Sequence, residues 1–104
     1  VARVITEQSF ETALSDEELS RMSQRLDACL EIRSGAWVRS YLSADRKRMI
    51  CDFEAPDAES VRQAMRSANI EFDRVFSAQV FAAEDYPQHQ ARLDVLRAGS
   101  AAAK

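Results

Sequence analysis

Glycine, proline and cysteine occur only twice each in this 104-residue chain, and tryptophan and histidine once each. Each scarcity excludes something. So little Gly and Pro rules out collagen-like and proline-rich disordered architectures, and no glycine-rich phosphate loop is present. The two cysteines, Cys29 and Cys51, lack CxxC spacing and sit inside apolar patterns, so both are expected as reduced core thiols. The single histidine, His89, cannot alone make a conventional imidazole metal site, and a solvated helix position is the expectation for it. Ser9, Ser40 and Ser77 have no histidine nearby to activate them, which disfavours triad chemistry. Catalytic residues, metal ligands and cofactor therefore stay unassigned. A basic excess is missing too, since 14 Lys and Arg face 17 Asp and Glu for a formal charge of −3. Phosphate neutralisation needs the opposite balance, so neither nucleic acid nor an anionic membrane is an expected partner. No run approaches the roughly 20 apolar residues of a membrane span, and the N-terminus lacks a signal-peptide pattern. The chain is expected to be cytoplasmic.

What is present is the balance of one ordered domain: 46% hydrophobic and 30% charged residues over a length that holds a single core. The spacing predicts one domain over residues 1–97, and residues 98–104 form a low-complexity stretch expected to be a flexible tail. Arg3 to Phe10 reads as a strand, β-branched at Val4, Ile5 and Thr6. Ser15 and Glu18 form an S-x-x-E capping box, and Leu19, Met22, Leu26, Cys29 and Leu30 then recur at helical spacing. That helix is expected to close at Ser34-Gly35, with Gly35 in the left-handed conformation. Ala36 to Ser43 and Arg46 to Glu54 read as strands joined by a tight turn at Ala44-Asp45. With Ser43 opposite Arg46, Val38 would face Cys51, and Val38, Leu42, Met49, Cys51 and Phe53 would share the core side. Asp57 caps a second helix with Val61, Ala64, Met65 and Ala68 as its apolar stripe, and Asn69 as its left-handed terminator. Phe72 to Ala82 reads as a fourth strand, and a weakly amphipathic C-terminal helix follows Tyr86-Pro87.

The order β, α, β, β, α, β predicts an α+β fold of ferredoxin-like type: a four-stranded antiparallel sheet with both helices on one face, plus a short C-terminal helix. The second face would then carry Trp37, Arg39, Tyr41, Ile50 and Asp52. An apolar patch of that size predicts a homodimer closed through the open sheet face. The same face supplies the candidate ligand-binding residues, Trp37, Arg39, Tyr41, Asp52 and Glu7: aromatic walls, a guanidinium fork for an anion and carboxylates. The competing expectation is that Arg39 pairs with Asp52 or Glu7 while the aromatics fill the dimer interface. The side on which Glu7 lies cannot be read from its polar surroundings.

The run from Trp37-Val38-Arg39-Ser40-Tyr41-Leu42-Ser43-Ala44-Asp45 through Arg48 to Glu59, with Cys51 on its strand and Glu54-Ala55-Pro56 before the acid-capped helix, resembles the family known as DUF4242. The likeness extends from about Ile5 to Val80. It implies a ferredoxin-like dimer with a nickel-binding relative, and carries over no metal ligand. The expected function is a small dimeric protein binding a ligand or metal. Two alternatives stand beside it: a cofactor-independent enzyme of the dimeric α/β-barrel kind (oxygenase or isomerase), and a regulatory subunit that recognises another protein.

Overall fold

The structure, a computed structural model, describes residues 1–102, with side chains through residue 99. Its elements are β1 (Ala2–Ser9), α1 (Asp16–Ile32), β2 (Ala36–Leu42), β3 (Arg48–Ala55), α2 (Ala58–Ser67), β4 (Arg74–Ala78), a single 3-10 turn (Ala83–Asp85) and α3 (Pro87–Ala102). The strands form one antiparallel sheet in the order β2-β3-β1-β4. That order is the split βαβ arrangement expected from the chain, with α1 and α2 on one face. No helix among the described residues is long and apolar enough to cross a membrane.

Alternation along β1 and β3 makes the core. Val4, Thr6 and Gln8 point to the helices from β1, and Met49, Cys51, Phe53 and Ala55 from β3. Val61, Ala64 and Met65 of α2 close over them, fully buried. The α2 boundaries follow from local chemistry. The Asp57 carboxylate accepts from the Ser60 backbone N–H at 2.7 Å, and Asn69 takes a left-handed φ of 56° beyond the last turn. The α1 start is capped as the S-x-x-E spacing predicts, the Ser15 hydroxyl accepting from the Glu18 N–H at 3.1 Å. Its end differs from expectation: Ser34, at φ 58°, takes the left-handed conformation assigned above to Gly35. Gly35 serves close approach instead, because a Cβ there would lie 3.2 Å from the Leu30 side chain.

The hairpin register also differs, by two residues. Leu42 faces Met49 and Ser40 faces Cys51, because the turn spans Ala44 to Lys47 rather than two residues. Arg46 adopts φ 63°, and Asp45 accepts from the Ser43 hydroxyl and the Lys47 N–H, a local network that favours the longer turn. An even shift keeps side chains on their faces. A second irregularity does not: the ladder slips between Trp37 and Arg39, so that Trp37, rather than Val38, aligns with the core side of β3, opposite Phe53.

The strand β4 is shorter than the apolar run suggests, and Val80 and Phe81 lie beyond it, exposed. From there the chain leaves the body. Among the described residues α3 packs only against the 3-10 turn, and it continues through Ala102, into the stretch expected as a tail. The resulting radius of gyration is 16.2 Å, against about 13 Å for a compact domain of this length.

Candidate functional site

The helix α1 carries an apolar stripe, yet only Leu30, at its C-terminal end, is fully buried; Leu19, Met22 and Leu26 remain half-buried. Polar anchors explain the stand-off. At the N-terminal end Arg46 of the hairpin turn donates to the Leu14 carbonyl and to Asp16, both at 2.6 Å. Along its length Arg25 donates to the Ala68 carbonyl at 3.1 Å, and Arg33 to Ser67 at 3.1 Å, holding α1 against α2. Between these anchors the helix roofs a cleft of about 460 Å³ over the outer half of the sheet. That size lies within the usual range for small-molecule sites.

The floor is Met49, Phe53 and Ile70, and the roof is Leu19, Met22 and Leu26. One wall holds a chain of hydrogen bonds. The Trp37 indole N–H donates to Ser40 Oγ at 2.8 Å, Ser40 donates to Cys51 Sγ at 3.0 Å, and the thiol reaches Gln8 Oε1 at 3.6 Å. The Gln8 carboxamide donates in turn to the Glu71 carbonyl at 3.3 Å. In a regular strand positions 37 and 40 point to opposite faces; the bulge is what brings the indole to the serine. The opposite rim is a polar stripe of α1, Asp16, Ser20, Ser23 and Asp27, spaced for one helix face.

Burial pushes the Cys51 thiol above its ordinary value, with the Ser40 hydroxyl acting in the opposite direction. A raised thiol pKa means the folded protein holds this proton where the unfolded chain releases it. The corresponding stability is present below the unfolded value and is lost as pH rises through the folded one. Cys51 should accordingly react slowly with thiol reagents at neutral pH, and faster only in alkali. Mass spectrometry of native protein after reagent exposure should find Cys29, which is half-buried, labelled first; rapid modification of Cys51 would contradict this geometry.

Of the residues expected to form a site, the structure brings four together and removes one. Arg39, Tyr41, Asp52 and Glu7 lie on the open face; Trp37, half-exposed at 51%, lies on the other, in the cleft wall. Asp52 is held by both Arg3 nitrogens that reach it, Nε at 3.0 Å and the terminal nitrogen closer still. Glu7 faces Arg74 at 3.7 Å. The expected pairing of Arg39 with either acid is therefore not made: Arg39 is exposed and forms no ion pair among the described residues. Gln8, Ser40 and the rim of α1 were not legible as site residues, because a buried glutamine and a serine stripe on an amphipathic helix have no distinctive spacing.

A ferredoxin-like α+β domain with a cleft under its first helix is the class that fold and site define. The chain belongs to the SCO4226-like family of nickel responsive proteins, which residues 5–77 match. The crystal structure of SCO4226 from Streptomyces coelicolor A3(2) is similar, with a TM-score of 0.71 at 16% identity, covering 78% of this chain and 100% of that one. At that identity the likeness is one of fold. No curated protein matches the chain.

Proposed function

We propose that this protein is a small dimeric ligand-binding module whose site is the cleft beneath α1. The observation that carries the reading is the Trp37–Ser40–Cys51–Gln8 chain: convergent polar groups in the wall of a mainly apolar, partly enclosed space, the composition of a small-molecule site. Binding is favoured over nucleophilic catalysis because Ser40 and Cys51 stand without a histidine, the only one in the chain being exposed on α3, and the thiol is held neutral.

Nickel, the metal in the family's description, does not fit these residues. Among the described residues no group of three or more His, Cys, Asp or Glu is placed to hold a metal ion. His89 lies beyond the matched segment, edge-on to Tyr86 with ring centroids 6.2 Å apart. Native mass spectrometry and elemental analysis of protein purified without added metal test both points. Retention of a small organic molecule, with nickel well below one atom per chain, supports the cleft reading, and stoichiometric nickel would replace it.

Dimerisation is proposed through the open face, where Ile5, Tyr41, Ile50 and Phe76 lie in adjoining rows and all but Ile5 are exposed. Such a patch is costly to leave in water. Light scattering at micromolar concentration should give twice the chain mass, and Ile50→Asp should return a monomer. A wild-type monomer would remove the interface.

A further inference from the structure

The charges around the cleft point to the kind of ligand it takes. Its lining contains two carboxylates, Asp16 and Asp27, and no lysine, arginine or histidine. Asp16 is neutralised by Arg46 at 2.6 Å, whereas Asp27 forms no ion pair among the described residues. Across the cleft stands Trp37, whose N–H is already satisfied by Ser40, so that what the residue offers a ligand is its π surface. A cation is attracted both to an indole face and to a carboxylate, and an anion to neither. Apart from Ser20, Ser23 and Gln24 on the α1 rim and Ser40 and Cys51 in the wall, the rest of the lining is apolar, with one deep polar group, Gln8, only 3% exposed. Its two long hydrogen bonds, at 3.6 and 3.3 Å, leave a donor hydrogen and an acceptor lone pair unused.

From this juxtaposition we infer that the cleft selects small organic cations, an ammonium group on an apolar body, with the body over Met49, Phe53 and Ile70 and the charge between Trp37 and Asp27. The inference rests on the cleft being a ligand site, and adds the sign of the ligand's charge. Inorganic cations are a poorer match, because they ask for several oxygen ligands at once, and among the described residues no group of three or more His, Cys, Asp or Glu is placed to supply them.

Trp37 is the only tryptophan in the chain, so its fluorescence reports occupancy directly. Three probes of similar size separate the charge from the body: phenethylamine as cation, phenethyl alcohol as neutral analogue and phenylacetate as anion. Each is titrated at neutral pH into the full chain and into Asp27→Asn. The expected result is that the amine binds about tenfold more tightly than the alcohol, the combined scale of a cation–π contact and an exposed ion pair, with phenylacetate weakest. Asp27→Asn should bring the amine down towards the alcohol, and an unchanged circular dichroism spectrum and unfolding midpoint show that the variant is folded. An amine no tighter than the alcohol, a tightest-binding anion, or an amine preference untouched by Asp27→Asn would overturn the inference while the cleft remains a site. If none of the three perturbs Trp37, the cleft reading fails and the charge preference with it.

Discussion

Phe53→Ala is expected to lower the unfolding free energy by about 3–5 kcal/mol, the usual cost of emptying a buried aromatic position. Phe53 has no exposed surface, sits on β3 between Val4 and Trp37 on neighbouring strands, and also forms part of the cleft floor. Domains of this size have only about 5–15 kcal/mol of total stability, so the variant should lose about a fifth of it or more. The melting temperature should fall by at least about 12 °C. The cleft borders the site and can admit water to the new void, which sets the expectation nearer the lower end. Phe53→Leu, which keeps most of the volume, should cost less than half as much. Urea unfolding of the three proteins checks the ranking, and a loss below about 1 kcal/mol for Phe53→Ala would mean that β3 is not the centre of the core.

Ser23→Trp should abolish binding while leaving the fold in place. Ser23 is an exposed residue on the cleft rim of α1. Tryptophan and serine have similar helix propensities, and surface substitutions away from special features usually stay within about 0.5 kcal/mol. An indole added at this lining position would compete with a ligand for the cleft. Isothermal titration with phenethyl alcohol or phenethylamine should show affinity at least a hundredfold weaker, on the order of 3 kcal/mol, with an unchanged circular dichroism spectrum. Affinity within threefold of the wild type would place the ligand elsewhere.

How far these features were legible in the sequence depended on whether the signal was local. Caps and stripes could be read, because Ser15, Asp57 and Asn69 act on backbone within a few residues and α2 repeats its apolar positions at helical spacing. Strand order followed from connectivity. The face of Trp37 did not, since a bulge after an edge-strand tryptophan needs no glycine and leaves no mark in Trp37-Val38-Arg39-Ser40. A single slipped position transferred the chain's one indole from the open face to the cleft, and with it the centre of the candidate site. The partner of Asp52 was missed for a related reason. Arg3 is 49 residues away in sequence, and only the β1–β3 pairing brings it near. The stand-off of α1 depends on Arg25, Arg33 and Arg46 reaching carbonyl and side-chain acceptors across the fold, contacts that hydrophobic periodicity cannot register.

On the proposed function, ligand enters the cleft under α1 and not the open face of the sheet. Nitrogen-15 correlation spectra recorded during a titration with phenethyl alcohol test this most directly, because both faces are reported in one experiment. The Trp37 indole N–H and the Gln8 side-chain amide should move first and furthest, together with backbone amides of Ser20 to Asp27. The amides of Ile5, Tyr41, Ile50 and Phe76 should stay fixed. Shifts centred on Tyr41, Arg39 and Phe76, with the indole signal unmoved, would contradict it.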